Sequence, residues 1–175
     1  RLTESDDEKM TRHSGNFVSL RDALSTHAAD AIRLFLLSAH FRSPRAYSEA
    51  EIEAHERSLE RMRTALREPG NLDGESLDAS QFRKGFEEAM DDDLNTPRAI
   101  AILFDLTHEI NRGRESGRNI SDVQGILREL GGVLGLTFAE KQLADNVAAQ
   151  PFVDLLVQVR SELRKAKQFA QADSI

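Results

Sequence analysis

The sequence predicts an all-α protein, and two observations lead to this class. Apolar residues recur at intervals of three and four along most of the chain, as they do on one face of an amphipathic helix. No stretch alternates apolar and polar residues in the way that a half-buried strand does. The composition agrees with a helical protein, since 39% of the 175 residues are hydrophobic and 30% are charged, with four prolines and no tryptophan. We expect a helical region over residues 19–70, followed by an antiparallel helical bundle over residues 80–175.

The first helices are predicted from apolar spacing and from residues that cap helix ends. Ser19 is placed to cap a short helix, and the next segment, AADAIRLFLLSAHF, is a nearly all-apolar helix in the first core. The pattern breaks at Pro44 and restarts at Ser48, where Glu51 completes a capping box. The long helix that follows carries its apolar face at Ile52, Leu59, Met62 and Leu66.

Residues 71–79 are predicted to link two helical units, because turn residues replace the periodic pattern there. Their composition indicates a flexible connection. After this linker, Thr96 is expected to cap a helix that has Pro97 at its first position. Ser121 is expected to cap the next helix, with Gln124 completing a capping box.

Composition excludes several classes of protein. The formal charge of −7 argues against affinity for polyanions across the whole surface, so any nucleic-acid contact must be local. No apolar run reaches the length of a membrane span, and we expect no membrane partner. The chain has no cysteine and its five histidines show no paired ligand spacing, so no metal site is predicted. A reducing cytoplasm is the expected compartment.

Two groups of basic residues are candidates for contact with nucleic acid. Arg42 and Arg45 lie near Tyr47 in a turn between helices, where two guanidiniums and an aromatic ring suit a phosphate backbone; an ordinary solvated turn is an equal alternative. The last helix, expected to open at Pro151, contributes a second group, which either faces RNA or favours the C-terminal end of the helix dipole. This second group comprises Arg160, Arg164 and Lys165. The arginines of the long helix are interpreted instead as i,i+4 ion pairs with its glutamates.

Asp91, Asp92 and Asp93 precede the helix that contains Pro97. Carboxylates are ligands for Mg²⁺, but acidic residues at this position also interact favourably with the positive end of the helix dipole. We interpret the three aspartates as structural.

Six segments occur in a characteristic order: KMTRHSGNF, SLRDAL, IRLFLLSAHFRSPRAYSE, FEEAMDDDLNTPRAIAILFDLTHEIN, LRELGGVLGL and RKAKQFAQAD. Together they resemble cysteinyl-tRNA synthetase over nearly the whole chain. The first segment resembles the KMSKS loop, which follows the Rossmann catalytic core in this class of synthetase and holds the triphosphate of ATP. Lys9 and Met10 match the start of that loop, whereas Thr11, Arg12 and His13 depart from it.

The resemblance implies that the chain is the tRNA-docking portion of an enzyme that uses ATP to attach cysteine to its tRNA. It implies a loop segment over 1–18, a region that contacts the tRNA stem over 19–70, and a tRNA-docking bundle over 80–175. The expected partners are the tRNA for cysteine and a Rossmann catalytic domain in cis. The parent enzyme is expected to use ATP, Mg²⁺ and Zn²⁺, with no cofactor bound by this chain itself. No complete catalytic site is expected here, so the chain alone should be inactive.

Two alternatives stay open at this point. A related ligase that joins cysteine to a small amine would also retain the loop, although the family-like last helix argues against it. A stand-alone helical binding protein without catalysis would explain why Arg12, His13 and Ser14 depart from the loop pattern.

Overall fold

The computed structural model describes residues 2–3, 18–139, 149–165 and 168–172. Regular structure in this part of the chain is almost entirely helical, which confirms the all-α class. Two two-residue strands, β1 (Leu2–Thr3) and β2 (Arg45–Ala46), pair in parallel, with Leu2 opposite Arg45. In chain order the helices are α1 (Leu20–Thr26), α2 (Ala29–Leu37), α3 (Glu49–Arg67), α4 (Ser80–Asp91), α5 (Thr96–Glu115), α6 (Ser121–Val133), α7 (Ala149–Lys165) and α8 (Phe169–Ala172).

Helices α1 and α3 begin at the serines that the sequence predicts. The Ser19 side chain accepts a hydrogen bond from the backbone N–H of Asp22, and the Asp22 carboxylate accepts one from the backbone N–H of Ser19, each at 3.2 Å. Ser48 caps α3 by accepting from the backbone N–H of Glu51 at 3.3 Å. The Glu51 carboxylate pairs with Arg45 rather than returning to the Ser48 backbone. Helix α3 therefore has a capping serine but only half of the predicted capping box.

Helix α5 is capped by Asn95 and not by Thr96, so that prediction is wrong. The Asn95 side chain accepts a hydrogen bond from the backbone N–H of Arg98 at 3.2 Å. Thr96 is the first helical residue, and its hydroxyl donates to the carbonyl of Leu37 at 2.7 Å. The Thr96 hydroxyl thus links the end of α2 to the start of α5, and the residue before it caps the helix.

The predicted capping box at the start of α6 is also wrong. Ser121 is the first helical residue, and the preceding Ile120 makes no side-chain capping bond. The side-chain amide of Gln124 is buried and donates to two carbonyls at the end of α3, those of Ala65 at 2.7 Å and Glu68 at 2.8 Å. Gln124 therefore stabilises the C-terminus of another helix.

One hydrophobic core joins helices on both sides of the predicted linker. Leu34 of α2, Leu59 of α3, Leu103 of α5 and Leu127 of α6 belong to the same buried cluster, and each is 0% exposed. The apolar face predicted for α3 is confirmed, because its four residues are all buried. A smaller cluster lies beside the main core and contains Ala23, Ala31, Ile32, Phe35 and Ile52.

The segment 71–79 is bound to the turn between α5 and α6, although its composition indicates a flexible connection. The backbone N–H of Leu77 donates to the carbonyl of Asn119 at 3.1 Å, and that of Asn119 donates to Glu75 at 3.0 Å. A side chain at Gly74 would place its Cβ only 2.4 Å from the carbonyl oxygen of Gly117. Glycine is required here because two stretches of backbone approach closely. The segment therefore connects two parts of one packed unit.

The chain divides into two compact units, Arg1–Ala139 and Glu140–Ile175. In the second unit, α7 begins at Ala149, two residues before the predicted start at Pro151. A proline is tolerated in the first turn because the N–H groups there have no helical acceptor. Leu155, Leu156 and Val157 of α7 are exposed. Across the described residues, no helix is both long enough and apolar enough to cross a membrane.

Candidate nucleic-acid interface

Arg42, the first predicted RNA contact, lies after α2 and is held by the loop between α4 and α5. Its Nε and Nη2 atoms donate to the two carboxylate oxygens of Asp93 at 2.8 and 3.1 Å. His40 lies within 3.0 Å of the carbonyl oxygen of the same aspartate. Asp93 adopts a left-handed backbone conformation with φ of 49°. Both members of the ion pair are exposed, so a phosphate group can compete for the guanidinium at low cost.

The structure gives Asp93 a more specific role than a general interaction with the helix dipole. Its carboxylate binds Arg42, while Asp92 accepts a hydrogen bond from the Asn95 side chain at 3.1 Å. Both aspartates thus organise the α4–α5 loop. Among the described residues, no group of three or more His, Asp and Glu side chains is arranged to hold a metal ion.

Arg45 is integrated into the packing of the first unit. Its guanidinium pairs with Glu51, and its Cζ lies 4.5 Å from the centroid of the Phe35 ring in a cation–π contact. The guanidinium is only 25% exposed. Arg42 and Arg45 therefore bind different acidic residues and do not form one fork around a common point.

Tyr47 packs edge-on against Phe35, with ring centroids 6.2 Å apart. Burial raises the pKa of the Tyr47 hydroxyl above its usual value, and the Glu49 charge raises it further. Burial lowers the pKa of the nearby His55, as does the Arg45 guanidinium, while Glu51 has an opposing effect. Both shifts favour the neutral forms of these rings.

The basic residues predicted on the last helix lie together on α7, in the second unit. Arg160, Arg164 and Lys165 line one shallow depression with Val157 and Ser161. The i,i+4 spacing of the two arginines puts them on the same face of the helix. This arrangement presents several donors in a row, as a phosphate backbone would require.

The loop residues Lys9, Met10, Thr11, Arg12 and His13 lie outside the described residues. Their predicted role in ATP binding stays a prediction. The same holds for the tRNA contacts predicted for Arg42, Arg45, Tyr47, Arg160, Arg164 and Lys165.

A groove between α3 and α5 was missed by the sequence analysis. It has a volume of about 230 Å³ and is lined by Ser58, Arg61, Phe104, Thr107, His108 and Asn111. The arginines of α3 were expected to form i,i+4 pairs with its glutamates, but Arg57 and Arg61 pair with no carboxylate among the described residues. Arg63 and Arg67 instead share Glu60. Only the packing of α3 against α5 creates the groove, so no local sequence pattern could reveal it.

Two protein-family models match this helical unit, one near each end. Residues 2–57 match the model of the tRNA synthetases class I (C) catalytic domain. Residues 85–139 match the model of the DALR domain. The match over 2–57 means that much of the region predicted as a stem contact is counted with the catalytic domain in the family. The fold and these matches define a part of a class I tRNA synthetase.

Curated relatives resemble the chain along nearly its whole length. Cysteine–tRNA ligase of Dehalococcoides mccartyi is 40% identical over 176 residues, which is 99% of this chain and 38% of the relative. The ligase of Halorhodospira halophila is 44% identical over 97% of this chain, again 38% of the relative. That of Haemophilus influenzae is 39% identical over the same shares. The chain belongs to the cysteine–tRNA ligase family, and it spans 38% of the length of these relatives.

Proposed function

We propose that this chain is the tRNA-docking helical portion of a cysteine–tRNA ligase, an enzyme that attaches cysteine to its tRNA in an ATP-dependent reaction. The observation that carries this proposal is the sequence identity of 40%, over 99% of the chain, to a protein of that name. The DALR match over the packed helices α4 to α6 and the basic face of α7 support a docking role. The partners are the tRNA for cysteine and a Rossmann catalytic domain in cis, and the compartment is the cytoplasm.

In this proposal Lys9 and Arg12 bring positive charge to the triphosphate of ATP as pyrophosphate leaves. Charge positioned where negative charge develops is an effective way to stabilise a transition state. ATP, Mg²⁺ and Zn²⁺ act in the complete enzyme. The described helices hold and orient the RNA, and the chain alone catalyses no reaction.

The test is made on the gene product that contains this chain. We expect it to catalyse cysteine-dependent exchange of pyrophosphate into ATP and to charge the tRNA for cysteine, while the 175-residue chain alone catalyses neither reaction. Replacement of the loop lysine, Lys9→Ala, should slow exchange, because one charge on the triphosphate is lost. A gene product that forms cysteinyl adenylate but neither binds nor charges tRNA would overturn the proposal and favour a cysteine–amine ligase.

A further inference from the structure

Two arginines on α3 lack the carboxylate partner that most other arginines in the described part of the chain have. Arg57 and Arg61 are exposed and lie four residues apart, on the same face of the helix. Neither pairs with a carboxylate among the described residues, whereas Arg42, Arg83, Arg112, Arg114 and Arg118 each do. Two like charges at this spacing destabilise an isolated helix slightly. Local helix stability therefore does not explain their presence.

The Arg61 guanidinium is held in position at the edge of the groove between α3 and α5. Its Nη2 donates to the hydroxyl of Ser58 at 3.0 Å, and that hydroxyl donates to the carbonyl of Ala54 at 3.0 Å. These bonds leave the other guanidinium N–H groups directed to no acceptor within the described residues. An arginine fixed in this way offers a planar set of donors to an incoming anion.

The opposite wall of the groove is formed by α5 and also carries polar groups. His108 is exposed and makes no hydrogen bond among the described residues. Asn111 also lines the groove; its side-chain oxygen accepts from Arg114 at 3.1 Å, and its NH₂ group makes no hydrogen bond among the described residues. Phe104 contributes an aromatic wall. The acidic residue Glu109 is paired with Arg112 at 2.9 Å, and Asp105 is not part of the lining.

We propose that this groove, together with Arg57, binds the phosphodiester backbone of the tRNA. The inference rests on the proposed function, since it identifies one contact surface for the same partner. A local pair of guanidiniums is what a protein of net charge −7 requires in order to bind a polyanion at one place. Arg57 and Arg61 contact successive phosphates, while His108 and Asn111 donate to the ribose or phosphate oxygens on the α5 side.

The experiment measures binding of the complete enzyme to the tRNA for cysteine, by filter retention over a range of salt concentrations. The variant Arg57→Gln with Arg61→Gln is compared with the matched control Arg83→Gln with Arg118→Gln, which removes the same charge from arginines paired with Glu129 and Glu75. We expect the groove variant to bind about tenfold more weakly, with the slope of log K against log salt reduced by about 2. The control should keep the original slope. Helical circular dichroism verifies that both variants fold.

The outcomes separate this inference from the proposed function. If the unmodified enzyme does not bind the tRNA, the proposed function itself fails. If the unmodified enzyme binds and the groove variant keeps its affinity and salt slope, only the groove assignment is overturned. Equal weakening of the groove variant and the control would also overturn it, because general charge would then account for the effect. A single variant, His108→Ala, should weaken binding severalfold, because it removes one donor to the RNA backbone from the α5 side of the groove.

Discussion

At the scale of single residues, Asp30 is a buried acidic residue of the first unit that depends on several hydrogen bonds. The carboxylate is 4% exposed, and one of its oxygens accepts from the backbone N–H groups of Thr137 and Phe138 at 3.0 and 2.8 Å. The hydroxyl of Thr137 donates to the same oxygen at 3.0 Å, and Arg33 lies 3.4 Å from the other. A buried charge is tolerated only when it is fully hydrogen-bonded. Asp30 thus fixes the segment after α6 against α2.

The variant Asp30→Asn should destabilise the chain by about 1–3 kcal/mol. The amide keeps the shape of the carboxylate but loses its charge, so the bonds from Thr137 and Phe138 become weaker. Urea denaturation measures the loss, and hydrogen exchange of the two backbone amides should become faster. The control Asp105→Asn, on an exposed residue, should change stability by less than about 0.5 kcal/mol. Equal effects of the two variants would contradict this role for Asp30.

At the scale of helices, the C-terminus of α3 depends on side chains from α6. Gln124 donates to the carbonyls of Ala65 and Glu68, and Arg128 donates to that of Leu66 at 2.8 Å. The last carbonyls of a helix have no partner within the helix, so these contacts satisfy groups that the packing of α6 removes from water. A serine followed three residues later by glutamine is a valid local signal for a capping box. The capping box does not form here, because the Gln124 amide donates instead to two carbonyls at the end of α3 that lie 59 and 56 residues earlier in the chain.

Helix starts were predictable where the capping bond is local and unpredictable where a distant group competes. Ser19 and Ser48 cap as expected, because their partners lie three residues ahead. Thr96 does not cap, because it is already the first helical residue, and its hydroxyl donates to the distant carbonyl of Leu37. The candidate site shows the same division: the basic positions could be read from the sequence, whereas the carboxylate that binds each arginine, and the groove beside Arg61, depend on packing.

The variant Gln124→Ala should destabilise the chain by about 2 kcal/mol, since it removes the donor from a buried carbonyl, that of Ala65, and from a partly buried one, that of Glu68. Exchange of α3 amides near its C-terminus should accelerate more than exchange near Ser48. The matched control is Gln81→Ala, which removes an exposed helical glutamine and should have an effect below about 0.5 kcal/mol. If Gln124→Met, which fills the same space without a donor, were as stable as the original chain, the hydrogen bonds would not be the cause.

At the scale of the whole first unit, the core does not follow the boundary that the linker sequence indicates. The segment 71–79 has the composition of a flexible connection, yet its backbone is bonded to the α5–α6 turn. The buried cluster includes residues from both family matches, such as Leu34 within 2–57 and Leu127 within 85–139. The class of fold was predictable because helical periodicity is local. The number of cores was not, because it depends on which apolar faces meet.

The main core, which α2, α3, α5 and α6 share, predicts that these helices unfold together, and two substitutions test this. Leu34→Ala and Leu127→Ala each remove a side chain that is 0% exposed and should each cost about 2–5 kcal/mol. Because the cluster is shared, each variant should lower the hydrogen-exchange protection of α2, α3, α5 and α6 to a similar extent. The control Leu72→Ala, at a residue that is 72% exposed within the linker, should leave protection nearly unchanged. If Leu34→Ala weakened α2 and α3 alone, and Leu127→Ala weakened α5 and α6 alone, the two family segments would be independent domains. The arginines of α3 would then have no fixed position relative to α5, and the groove would require RNA to assemble it.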